Sequence, residues 1–164
     1  MTPEQLVPPL LAIAREAGRA ILEHYHPEVE RADKSDGSPV TAADHASEAI
    51  ILRGLKALDP SVPVVAEEEF AAGRVPDVTR GKFWLVDPLD GTKEFLKANG
   101  EFTVNIGLVE NRRPILGVLH APVADEMFWG WGTTAFGQAG SGPARRLAAR
   151  KPPAAGLVVL ASRS

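Results

Sequence analysis

Cysteine is absent from the chain, which excludes disulfides, thiolate metal sites and thiol nucleophiles. No apolar run approaches the roughly 18 residues that a membrane-spanning helix requires. The N-terminus also lacks the charged-then-apolar pattern of a secretory leader. These absences predict a soluble intracellular protein without an integral membrane segment. A strong excess of one charge is missing too. The net charge of -3 offers no general attraction to nucleic acid or to an anionic membrane, so a phosphorylated ligand would have to be captured locally. There is no internal repeat and no low-complexity tract.

His24, His26, His45 and His120 lack the paired spacing and third ligand of a zinc site. No basic stripe accompanies Trp84, Trp129 and Trp131, so they read as packing residues rather than as a base-stacking platform. Arg145, Arg146, Arg150 and Lys151 read as a solvated loop cluster.

What is present suffices for a globular unit: 164 residues, 45% hydrophobic and 24% charged, enough for one domain with a real core. Val7, Leu10, Ala14, Ala17 and Ile21 recur at helical spacing and predict a helix over residues 3–24. Thr41 and Asp44 have the form of a capping pair opening a second helix that reaches Leu58, with Ile50, Ile51, Leu55 and Leu58 inward. Between them, residues 27–39 read as an irregular charged loop or hairpin. Strands are predicted at residues 62–66, 83–86, 102–109, 114–119 and 126–131, the third and fourth forming an antiparallel pair turned through residues 110–113. Residues 137–153 read as a mobile connection or edge hairpin, and 157–161 as the first strand of a further domain. The order indicates an α+β layer, two helices packed on a mostly antiparallel sheet.

The chemistry concentrates where two of these strands end. Residues 83–86 run into Asp87-Pro88-Leu89-Asp90-Gly91-Thr92-Lys93-Glu94, with Pro88 expected to stop the strand. Gly91 permits close approach of a ligand to the backbone, and a helix opening near Thr92 would offer its first amides to an anion. A second acidic cluster, Glu67-Glu68-Glu69, follows the apolar residues 62–66. Carboxylates converging from separate strand ends suit a hard divalent cation such as magnesium, which takes oxygen ligands and keeps positions for water and phosphate. Taken alone, Asp-Pro-Leu-Asp is equally a strand, a proline turn and an aspartate cap.

These residues, with Lys34-Ser35-Asp36-Gly37-Ser38-Pro39-Val40-Thr41-Ala42-Ala43-Asp44, resemble the lithium-sensitive, magnesium-dependent inositol monophosphatase superfamily. Lys93-Glu94-Phe95, residues 100–106 and residues 114–118 are similar to its 3'(2'),5'-bisphosphate nucleotidase branch. The resemblance implies the layered sugar-phosphatase fold and two or three magnesium ions per complete site. It implies a small phosphorylated nucleotide, 3'-phosphoadenosine 5'-phosphate, hydrolysed to AMP and phosphate in sulfur assimilation. It further implies a cytoplasmic enzyme, with peripheral association at the inner membrane, and leaves the oligomeric state open.

By the same resemblance Glu67, Asp87, Asp90 and the carbonyl of Leu89 hold the cations. Glu67, Leu89, Asp90, Gly91 and Thr92 meet substrate, Asp36 and Thr92 activate the water, and Glu68 and Lys93 support the site from behind. Glu69 is expected to face solvent, and Asp44 to belong chiefly to the helix start. Family members are longer and carry a Trp-Asp motif, absent here, whose aspartate completes the second cation site. The expectation is therefore a metal-site domain at residues 1–140, followed at 141–164 by a connection and the first strand of a truncated second domain. The rival readings are an inositol monophosphatase and a silent metal- or phosphate-binding module.

Overall fold

The structure is a computed structural model and describes residues 1–26, 31–33, 39–154, 156 and 158–159. Helix α1, Pro3–Glu23, opens with Thr2 and Gln5 capping each other's backbone amides and with proline in its first turn. It buries Leu10, Ala14, Ala17 and Ile21. The short strands β1, Arg31–Asp33, and β2, Pro39–Thr41, pair antiparallel. Helix α2, Ala42–Leu58, follows directly, with Thr41 as its N-cap and Asp44 completing the capping box. Ile51 and Leu55 are buried, whereas Ile50 and Leu58 lie half-buried at the margin of the same face.

The remaining elements build one sheet. They are β3 (Val64–Ala66), α3 (Glu67–Ala71), β4 (Lys82–Asp90), α4 (Thr92–Leu96), β5 (Thr103–Glu110), β6 (Arg113–Ala121), β7 (Glu126–Trp131), β8 (Thr134–Ala139) and β9 (Arg145–Arg146). The strands lie in sequence order from β3 to β9, and every pair is antiparallel except β3 with β4. Asn111 and Arg112 both take positive φ, as a two-residue hairpin between right-twisted strands demands.

Alternation along each strand divides the sheet into two faces. Trp84, Val86, Val104, Ile106, Leu108, Leu116, Val118 and Met127 are buried in a core shared with α1 and α2. The intervening residues, among them Leu85, Asp87, Asn105 and Gly107, line an open depression of about 830 Å³ on the opposite face. His120 fastens the layers: its buried Nδ1 lies 3.0 Å from the Ala14 carbonyl and, being the donor there, carries the ring proton. Gly18 leaves room for that ring, since a Cβ there would lie 2.4 Å from Nδ1.

One expectation needs correction. Pro88 does not end its strand; β4 continues to Asp90, and the register to β5 shifts between Asp87 and Asp90. Proline is tolerated there because a bulge releases the ladder position that its missing N–H would have filled. Of the two readings of residues 137–153, the edge hairpin is the one the structure bears out at the start of the segment: β8 runs to Ala139 and pairs antiparallel with β9, the edge strand of the sheet. The expected strand at 157–161 lies largely outside the described residues. None of the helices searched among the described residues is long and apolar enough to cross a membrane.

Candidate metal and phosphate site

Parallel pairing of β3 with β4 sets Ala66 opposite Val86, so the next residues, Glu67 at the start of α3 and Asp87 still within β4, follow side by side. Asp87 points to the open face and lines the depression with Glu67 and Asn105. Burial pushes the Asp87 carboxyl up to about 7 from its ordinary 3.8. The charges of Glu67 and Asp90 and a hydrogen bond shared with Glu67 add to the rise, and a backbone hydrogen bond at Leu89 opposes it. The structure thus gathers three predicted ligands, Glu67, Asp87 and Asp90, around a carboxyl that resists ionisation.

Asp87 Oδ1 is buried and meets no hydrogen-bond donor among the described residues. Asp90 is exposed, and Asn105 donates to its Oδ2 at 3.1 Å. Thr103 Oγ1 lies 3.3 Å from Asn105 Oδ1, which turns the amide so that its NH₂ faces Asp90. Among the described residues, no three or more acidic or histidine side chains are grouped so as to hold a metal ion by themselves. The arrangement is instead open and oxygen-only. A hard divalent cation fits it, because it would satisfy Asp87 Oδ1 and offset the mutual repulsion.

Beyond the bulge, Gly91 takes φ 100° and opens the five-residue helix α4. A Cβ at Gly91 would stand 3.0 Å from the Glu101 carbonyl, so glycine serves both the left-handed backbone and the close packing. Thr92 Oγ1 lies 3.2 Å from Asp44 Oδ1 and 3.3 Å from the Leu89 carbonyl. Asp44 Oδ2 is held by the Thr41 amide at 2.8 Å and the Thr41 hydroxyl at 2.7 Å. Lys93 is exposed on the first turn of α4. Asp36 lies outside the described residues.

Sequence reading did not consider three residues that hold these pieces. Ser47 donates to the Pro88 carbonyl at 2.7 Å, and Glu48 accepts the backbone amides of Glu68 at 2.9 Å and Glu69 at 3.1 Å. Asn105 is the third. Burial raises the Glu48 pKa above its ordinary 4.5; the charges of Glu68 and Glu69 add to this, and the two amide bonds oppose it. Glu68 is buried, whereas Glu69 is only half-buried and pairs with exposed Arg74. A signal for two of the three existed. Asp44, Ser47 and Glu48 fall at i, i+3 and i+4 on the stripe that continues to Ile51 and Leu55, so three polar residues occupy an inward face.

Comparison with known proteins fits this geometry. The inositol monophosphatase family model matches residues 2–160. The chain belongs to that family. Over 119 residues it is 52% identical to the 3'(2'),5'-bisphosphate nucleotidase CysQ of Salmonella typhimurium, a match covering 71% of this chain and 48% of that protein. The solved CysQ of Bacteroides thetaiotaomicron, described as a bacterial member of the family, superimposes with a TM-score of 0.61 at 41% identity, covering 78% of this chain and 46% of its own. The extragenic suppressor protein suhB of Bartonella henselae superimposes with a TM-score of 0.72 at 28% identity, covering 81% and 52%. The fold is therefore inositol monophosphatase-like, α+β, and the chain spans about half the length of the curated relatives it matches.

Proposed function

We propose that this chain carries the cation-binding half of a magnesium-dependent phosphomonoester hydrolase, a 3'(2'),5'-bisphosphate nucleotidase converting 3'-phosphoadenosine 5'-phosphate to AMP and phosphate in the cytoplasm. The observation that carries the reading is Asp87, whose carboxyl is pushed up to about 7 by burial and by the facing charges of Glu67 and Asp90. Such a cost is understandable where a cation is to be bound. The name borne by the Salmonella relative supports the nucleotide substrate.

Glu67, Asp87, Asp90 and the Leu89 carbonyl would hold the magnesium ions. When bound, these supply a more acidic water and neutralise charge on the phosphoryl oxygens. Thr92 has one hydroxyl proton and two acceptors within reach, Asp44 Oδ1 and the Leu89 carbonyl. Donating that proton leaves its lone pairs to accept from a water and turn the water's own lone pair toward phosphorus. Asp44, fixed by Thr41, orients the hydroxyl; the resemblance had paired Thr92 with Asp36. Gly91, by its left-handed backbone, opens α4 beside Asp90, so that the amides at the start of this helix would meet the phosphate, with Lys93 nearby.

Parallel phosphate-release assays with 3'-phosphoadenosine 5'-phosphate and inositol monophosphate test the assignment, using this chain and the chain extended to the length of its relatives. Magnesium-dependent release that favours the nucleotide is expected. Preference for inositol monophosphate would replace the substrate assignment, and metal binding without turnover by either form would leave a binding module.

A further inference from the structure

We infer that Glu48 is a positioning residue that aims Glu67 at the cation site, an inference that rests on the metal-site reading above. Helix α3 has only five residues, far short of what sustains a helix in isolation. Its N-cap, Ala66, has suitable extended backbone angles but no side chain that could cap. The two oxygens of Glu48 supply what is missing. They reach across from α2 and take two consecutive amides, those of Glu68 and Glu69.

The source of this cap is informative. A serine at position 66 would satisfy an amide without burying another negative charge beside three glutamates. A carboxylate from α2 does more, because it fixes the direction in which α3 leaves the sheet. The same face of α2 holds the other half of the site, through Ser47 on the Pro88 carbonyl and Asp44 on Thr92. One helix therefore sets the distance between the segment bearing Glu67 and the segment bearing Asp87 and Asp90. Strand pairing places their backbones in register, and Glu48 sets the first turn of α3, from which Glu67 projects. Glu48 itself is 4% exposed and bonded to amides, so it acts through Glu67 and not on a ligand.

The test titrates magnesium alone into the 164-residue chain by calorimetry and follows hydrogen exchange at the Glu68 and Glu69 amides. Glu48→Gln keeps the shape but faces one amide with an NH₂ group. It is expected to weaken magnesium binding roughly tenfold, as loss of a residue orienting a metal ligand does, and to accelerate exchange at both amides while the melting temperature stays near that of wild type. Should Glu48→Gln not fold, Glu48→Asp, one methylene short of the amides, carries the same two readouts. Accelerated exchange with unchanged magnesium affinity would make Glu48 a structural cap and overturn the inference, as would unchanged exchange. A wild-type chain that binds no magnesium overturns the metal-site reading as well, whereas wild-type binding matched by the variant overturns the Glu48 role alone.

Discussion

Thr92 and Asp44 are joined by a 3.2 Å hydrogen bond that ties the first turn of α4 to the first turn of α2 across 48 residues of sequence. Asp44 is 1% exposed and already spends its other oxygen on Thr41, so the direction of the Thr92 hydroxyl is set before any ligand arrives. Thr92→Val removes the hydroxyl and roughly keeps the shape. In the chain extended to the length of its relatives it should lower kcat by about a hundredfold, the range of a lost proton-handling group, with magnesium affinity near wild type. Asp44→Asn should act in the same direction. Equal losses of turnover and metal affinity would count against water orientation.

The raised pKa of Asp87 makes the metal-free chain sensitive to pH. The folded value, about 7, lies above the ordinary 3.8, so the unfolded chain sheds this proton first as pH rises. The contribution to stability is full below about 3.8 and is lost as pH climbs toward 7. Asp87→Asn should therefore melt higher than wild type at pH 8 without magnesium, by several degrees. Added magnesium should erase or reverse the difference. A variant that melts lower than wild type in metal-free buffer would contradict the burial argument.

His120 has the opposite sign. Burial is the main cause holding its pKa below the ordinary 6.5, so the neutral ring is favoured in the fold, and its contribution is present above 6.5 and lost as pH falls toward the folded value. Melting curves between pH 5 and pH 7 should show a steeper rise in stability for wild type than for His120→Gln. Parallel slopes would remove His120 as the cause.

Gly18→Ala places a methyl 2.4 Å from His120 Nδ1 and 3.1 Å from Pro122 Cγ. Overpacking of this kind costs about 1–3 kcal/mol, or roughly 2–4 °C of melting temperature for each kcal/mol in a chain of this size. Magnesium affinity should be unchanged, since the contact lies between α1 and β6, away from Asp87. An altered affinity would show that α1 communicates with the site.

Periodic features were legible in the sequence. Both long helices and the strands β5 and β6 follow patterns of 3.6 or 2 that local burial enforces, and the two acidic strand ends could be read from composition and order alone. Pro88 was read as a stop because proline lacks a donor, but the bulge between Asp87 and Asp90 removes the need for one. Strand β8 begins after Gly132 and contains Gly137, so turn-forming residues masked a pairing supplied by β7. Ser47 and Glu48 share the inward stripe of α2 with Ile51 and Leu55, but what they hold was not legible, because their targets, the Pro88 carbonyl and the amides of α3, lie 41 and 20 residues away. Asn105 sits on an alternating strand and acquires its role only when β5 aligns it with Asp87.

The most direct test is calorimetric titration of magnesium at pH 6 in buffers of different ionisation enthalpy, which counts the protons released on binding. The account predicts magnesium binding with release of a proton from Asp87, loss of that release in Asp87→Asn, and strongly weakened binding in Asp87→Asn and Asp90→Asn. Magnesium binding of equal strength in wild type and both variants, or no binding by the wild-type chain, would contradict it.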